Sequence, residues 1–371
     1  MGFAVPRFAA PCARSRLRVV ALLACGLAAA PALACTSFLL KAKDGTPVYG
    51  RTMEFGLDLE SSVFVAPRGY AYDTQRPQGA AGPKWRVRHA YVGVTALGLP
   101  FVADGMNEKG LAVGALYLPG FAGYAAPSPA NTGRAYAPYE FASWLLSTFA
   151  TVAEVRAGLD GVEIAALPTP GSSFVLPLHF TVHDASGASL VIEPIDGKLK
   201  VHDNPLGVLT NAPTFDWHLT NIRNYVKLSP VAAPPLKIMG ETFAPLGEGS
   251  GLLGVPGDVT PPSRFIRALG FAVSAEPGAD GPQTVRVAEH VANNFDIPAG
   301  LVRDPEKGAP RETTQWTAIA DLRARKYYIK TYTDQTLREI DLMSFDLDAR
   351  EPRVAPLKPL AKPPALEFPE P

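Results

Sequence analysis

Ala32-Leu33-Ala34-Cys35-Thr36-Ser37-Phe38-Leu39-Leu40-Lys41-Ala42-Lys43-Asp44-Gly45-Thr46-Pro47-Val48-Tyr49-Gly50-Arg51-Thr52-Met53-Glu54-Phe55 is the stretch that orders the rest of the chain. Cys35–Ala42 and Pro47–Phe55 are short apolar and β-branched runs, and Asp44-Gly45 between them predicts a tight hairpin. Ala32 and Ala34 put small residues at the two positions a signal peptidase reads. Upstream, Arg7, Arg14, Arg16 and Arg18 precede an apolar run from Val19 to about Ala30. At about a dozen residues that run is shorter than the roughly 20 a spanning helix needs. Residues 1–34 therefore read as a cleaved secretory signal that makes Cys35 the first residue of a periplasmic or secreted protein.

Loss of the leader takes away four arginines and no acids, leaving 31 basic side chains against 35 acidic, a net charge of about −4. Nothing in that balance suggests a nucleic-acid or anionic-membrane partner, and stable membrane insertion is not expected because no later apolar stretch reaches the length of a spanning helix. Cys12 and Cys25 leave with the leader, so Cys35 stays as a lone thiol in an oxidising compartment, unable to form an internal disulfide. Such a thiol is incidental, a lipid-attachment point, or a nucleophile.

Further along, Arg86–Leu97, Phe101–Ala103 and Leu111–Leu118 predict sheet, the last two joined across Asp104–Gly110. His179–Val182 and Ser189–Glu193 predict a hairpin around Asp184–Gly187, and Trp316–Asp321 with Lys326–Thr331 a late strand pair. Helical spacing appears at Pro138–Phe149, Val152–Leu159, Thr214–Leu228, Ser263–Val273 and Val285–Asn294. Strands and helices do not alternate regularly, which favours a layered α+β arrangement over a doubly wound sheet. Gln78–Pro83 and Leu246–Pro262 read as surface loops without a domain break, giving one domain over residues 35–351. Residues 352–371 carry seven prolines and predict an extended tail.

A cysteine at position one carries its own α-amine, whose reference pKa of about 7.7–8.0 suits a base near neutral pH. Nucleophile and base then come in one residue, with no histidine required. No glycine-rich phosphate loop or Gly-x-Ser-x-Gly elbow is present, and His179 and His183 lack the neighbours of a metal site.

Cys35-Thr36-Ser37-Phe38 with Gly50-Arg51-Thr52-Met53-Glu54-Phe55 resembles the choloylglycine hydrolase family, which includes penicillin V acylases and bile salt hydrolases. Asp104-Gly105-Met106-Asn107-Glu108-Lys109-Gly110-Leu111, Leu209-Thr210-Asn211-Ala212-Pro213-Thr214-Phe215-Asp216-Trp217, and Pro256-Gly257-Asp258 followed by Ser263-Arg264-Phe265 extend the resemblance in the family order. It implies an αββα four-layer sandwich of the N-terminal-nucleophile (Ntn) hydrolase type, with Cys35 beginning a central strand. It also implies Cys35 as nucleophile, flanked by Arg51 and Arg264, with Glu54 where the family has aspartate. The Asn107 backbone N–H and the Asn211 side chain become the oxyanion donors. No cofactor is implied, the substrate is a small linear amide, and a homotetramer is expected.

Structural alternatives stand beside each role. Ala32-Leu33-Ala34-Cys35 is also similar to a lipobox with its leucine one place off, which would make the chain a lipid-anchored binding protein. Arg51 and Glu54 could form a surface ion pair, Asn107 could be a turn former, and Asn211 could cap the helix from Thr214. The aromatic stretch Tyr70, Tyr72, Trp85 and Tyr91 suggests an apolar acyl pocket. Among family substrates, penicillin V or acyl-homoserine lactones are favoured over bile salts.

Overall fold

The computed structural model describes residues 34–76, 81–131, 133–303, 308, 311–357, 365, 367 and 368. The leader, apart from Ala34, and most of the tail lie outside these residues. No described helix is long and apolar enough to cross a membrane.

Asp44-Gly45 turns the chain as expected. β1 (Cys35–Lys41) and β2 (Pro47–Phe55) pair antiparallel with Cys35 opposite Met53 and Lys41 opposite Pro47, and Gly45 takes the positive φ that such a turn demands. β14 (Thr313–Asp321), β15 (Lys326–Thr331) and β16 (Arg338–Asp341) complete a five-stranded sheet in the order β1-β2-β14-β15-β16. β1 thus lies at the edge of this sheet rather than in its centre. Ser37 bridges onward to Leu209, which covers the open side of β1.

The second sheet has eight strands in the order β11-β10-β9-β8-β7-β6-β3-β17. These are β3 (Ser62–Ala66), β6 (Tyr91–Thr95), β7 (Val102–Asn107), β8 (Ala112–Tyr117), β9 (Leu178–His183), β10 (Ser189–Ile195), β11 (Lys198–Asp203) and β17 (Arg353–Pro356). Two small hairpins stand apart, β4 (Ala71–Gln75) with β5 (Ala81–Arg86) and β12 (Leu236–Ile238) with β13 (Glu241–Phe243). The sheet expected over Arg86–Leu97 divides, Arg86 closing β5 and Tyr91 opening β6. Asp104 to Asn107, expected in a loop, continue β7, so the turn is only four residues long. Of the tail expected from Pro352, Arg353–Pro356 form β17 and pair with β3, and most of the remainder lies outside the described residues.

Helices cover both outer faces. α1 (Phe141–Thr148) packs on β7 and β8, with α2 (Val152–Gly158) following it. α3 (Phe215–Asn221) continues into a 3₁₀ turn, Ile222–Tyr225. α4 (Pro261–Ser274) packs on β1, and α5 (Gly281–Asn293) on β2 and β14. Pro261 opens α4 where its missing N–H costs nothing, and Asp280 caps α5 by accepting from the Gln283 N–H. The order is helix, sheet, sheet, helix. One apolar core joins the two sheets with α4 and α5, including Phe38, Tyr49, Leu116, Phe265 and Trp316. A second lies under α1, including Phe141, Leu145, Phe180 and Ile192.

Candidate active site

β2 sets the geometry, because successive side chains on a strand point to opposite faces. Tyr49, Arg51 and Met53 face the eight-stranded sheet together with Cys35 and Ser37. Thr52 and Glu54 face the helix layer together with Thr36. Arg51 and Glu54 are three apart, both fully buried, and on opposite faces, so they are not a surface ion pair.

Cys35 is 2% exposed. Arg51 Nη2 lies 3.5 Å from Cys35 Sγ and donates to the Ala115 carbonyl at 2.7 Å, while Nη1 donates to the Ala103 carbonyl at 2.8 Å. The Trp316 ring lies 5.1 Å from the guanidinium carbon, and Met53 Sδ is 3.8 Å from Sγ. Asp104, 3.5 Å from Arg51, accepts from the Tyr49 and Tyr327 hydroxyls at 2.6 Å each. Burial works against the Arg51 charge, yet the Cys35 sulfur and the Asp104 carboxylate hold the guanidinium protonated more firmly than usual.

On the helix face, Arg264 sits in the first turn of α4, fully buried. It donates to the Cys35 carbonyl, to Thr36 Oγ1 at 2.8 Å and to Asn211 Oδ1 at 2.7 Å. Asn211 Oδ1 also accepts the Cys35 N–H at 2.6 Å, and Nδ2 donates to the Tyr117 carbonyl at 2.8 Å. The second Nδ2 proton has no partner among the described residues. Asn211 does not cap α3, whose cap position is Thr214. Two histidines fix this loop, His179 through the Thr210 carbonyl and His218 through that of Asn211.

Glu54 accepts from Thr314 Oγ1 at 3.1 Å, and burial pushes its carboxyl up to about 8 despite the nearby Arg264. Glu312 accepts the Ala34 N–H and is pushed up to about 7, again by burial against the pull of Arg264.

Cys35, Arg51, Glu54, Asn211 and Arg264 are thus brought together, and Asn107 is not. The Asn107 N–H is committed to the Leu111 carbonyl at 2.9 Å. Its amide donates to the Leu146 and Phe149 carbonyls, and its Oδ1 accepts from Lys109 and Leu111. That geometry ties the β7–β8 turn to the end of α1 and leaves nothing to offer an oxyanion, so the expected role of Asn107 is withdrawn. Asp104, Glu312, Tyr49 and Tyr327 were missed. Asp104 was hidden in an apparent turn, and Arg311-Glu312-Thr313-Thr314 reads as ordinary polar chain. An acid among the apolar residues of β7 was the available signal.

The sulfur opens on an apolar space of about 70 Å³ lined by Met53, Phe55, Leu59, Leu97, Phe101 and Tyr139 among others. None of Tyr70, Tyr72, Trp85 and Tyr91 lines it. They pack in the outer layers, and Tyr70 and Tyr72 face an adjoining cavity of about 900 Å³ that shares Phe101 and Tyr139 with the space before the sulfur.

A family model described as linear amide C-N hydrolases, choloylglycine hydrolase family, matches residues 35–355. The chain is 34% identical over 320 residues to the bile salt hydrolase/transferase of Clostridium perfringens, covering 85% of this chain and 95% of that one. It is 24% identical over 360 residues to the penicillin V acylase of Pectobacterium atrosepticum, covering 91% and 88%. Among solved structures, a variant of the C. perfringens conjugated bile acid hydrolase superposes with a TM-score of 0.80 at 31% identity, covering 90% of this chain and 100% of that one. The penicillin V acylase of Agrobacterium tumefaciens shares the fold, with a TM-score of 0.69 at 24% identity over 86% and 90% of the two chains.

Proposed function

Because this chain belongs to the choloylglycine hydrolase family of linear amide C–N hydrolases, we propose that it hydrolyses conjugated bile acids through a thioester at Cys35. The carrying observation is the buried Cys35 sulfur between Arg51 and an apolar pocket. The C. perfringens relatives support the bile-acid substrate, which reverses the preference for penicillin V and acyl-homoserine lactones taken from the sequence.

In this reading Cys35 Sγ attacks the amide carbonyl carbon, and the Cys35 α-amine takes the thiol proton and passes it to the departing amine. Arg51 balances negative charge on sulfur. The free Nδ2 proton of Asn211 is the donor to the oxyanion, a contribution typically worth 10²–10³ in rate. Water then cleaves the thioester and restores the thiol.

The mechanism needs a free amine, so removal of the leader after Ala34 during export is part of the proposal. A lipid on Cys35 fits poorly with a residue whose sulfur, N–H and carbonyl are all engaged inside the protein.

The test is kcat/KM for glycine-conjugated bile salts against penicillin V, using enzyme whose intact mass shows a start at Cys35. Higher values for bile salts are expected, with Cys35→Ser inactive. A preference for penicillin V would return the assignment to the acylase reading, for which the Pectobacterium relative is the support.

A further inference from the structure

Glu312 and Glu54 both contact Ala34, the residue before Cys35, the first through its carboxyl and the second through its backbone N–H. Ala34 donates its N–H to Glu312 Oε1, and its carbonyl accepts the Glu54 N–H at 3.0 Å. Glu54 Oε2 is buried and has no hydrogen-bond partner among the described residues. When residues before Cys35 are gone, the site of Ala34 is vacant and the Cys35 nitrogen carries up to three protons. One already points at Asn211 Oδ1. Successive backbone nitrogens are at most about 3.6 Å apart, so the Glu312 carboxyl stands within one water of that amine.

Charge makes the same point. The groups facing the amine are Arg264 from α4, Glu54 and Arg51 from β2, Glu312 just before β14, and the thiol of Cys35 itself. Asp104 from β7 is committed to Arg51, Asp258 acts on Arg264 from the outer side, and Arg267 lies one helical turn from Arg264. With Arg51 matched by Asp104, an ammonium beside Arg264 needs two carboxylates for balance. Glu54 supplies one when the charge of that ammonium offsets the burial that otherwise holds its carboxyl protonated.

We propose that Glu312 is a positioning residue for the proposed reaction, holding the Cys35 α-amine jointly with Glu54 and keeping it basic enough to take the thiol proton. The inference rests on the reading that mature Cys35 is the first residue. Removing an anionic partner leaves the ammonium facing Arg264 and disfavours its charged form, which lowers the pH at which free amine appears.

The experiment is the pH dependence of kcat/KM for Glu312→Gln, with every enzyme made as Met-Cys35 so that removal of the long leader is not at issue and with its mass checked for loss of Met. The acidic limb, which reports the amine, is expected to move about one pH unit lower, a tenfold change in its protonation equilibrium. KM is expected to hold. Glu312→Asp keeps the charge at shorter reach, so its limb is expected between those of wild type and Glu312→Gln. It serves as the readout by itself if Glu312→Gln does not fold. A limb at the wild-type position, even with a reduced rate, overturns the proposal and leaves Glu312 a structural residue. A wild-type enzyme that does not begin at Cys35, or a Cys35→Ser enzyme that still turns over, removes instead the reading beneath it.

Discussion

Asp104 carries no chemistry of its own, yet the placement of Arg51 depends on it. A guanidinium that reaches the sulfur from a fully buried strand position has to be oriented by fixed acceptors, and those are the Ala103 and Ala115 carbonyls together with Asp104. Asp104→Asn is expected to lower kcat by more than tenfold and to destabilise the fold by roughly 3 kcal/mol, because a buried positive charge loses its counterion. Thermal denaturation and single-turnover kinetics measure the two effects separately. Asn107→Ala is expected to behave oppositely. The carbonyls at the end of α1 lose their donors, at a cost of about 2–3 kcal/mol, while kcat stays near wild type. A large fall in kcat with unchanged stability would return Asn107 to the site.

Among the elements, the β1–β2 hairpin was legible because Asp44-Gly45 is a strong local signal flanked by runs of strand-forming residues. Polar edge strands such as β11, β16 and β17 were not. They take their conformation from a neighbour's unpaired backbone, which no local pattern announces. The stretch Asp104–Asn107 misled for a different reason. Asp, Gly and Asn punctuate turns in exposed chain, but here Gly105 lies opposite Gly93 in the middle of a sheet, where an added Cβ would meet the Val92 carbonyl at 2.5 Å. Cys35, both arginines and Asn211 were readable from motif blocks. Glu312 joins them only through the fold. Gly50 shows how tightly the hairpin is built. It pairs with Phe38, and a Cβ there would come within 2.5 Å of that ring. Gly50→Ala is expected to cost about 1–3 kcal/mol and to lower activity through the adjacent Arg51. Adding Phe38→Leu is expected to restore part of both, read by melting temperature and kcat.

At the scale of the molecule, burial keeps His183 and His218 neutral, pushed down to about 3 and about 4. The unfolded chain takes up these protons near pH 6.5 and the folded one does not. Stability from them is therefore full above that pH and is lost as pH falls toward 4. Calorimetry from pH 7 to 4 should show a falling melting temperature, with a shallower slope in His183→Gln. The β12–β13 hairpin extends exposed Leu236, Ile238, Met239 and Phe243 into solvent. Such an exposed apolar face is the place at which the expected homotetramer is tested. Replacing Ile238 and Phe243 with serine should reduce the mass found by light scattering, and an unchanged mass would place the contact elsewhere.

The apolar space before the sulfur also decides which poisons can reach it. Cys35 is the only cysteine among the described residues, and the apolar recess in front of it disfavours multiply charged disulfides such as oxidised glutathione, whose charges would lose their hydration there. Peroxide is small enough to enter. A sulfenic acid formed there has no second thiol to rescue it and would pass on to the irreversible acids. The enzyme should therefore tolerate a disulfide-rich environment for long periods, and lose each active site only once, to small oxidants.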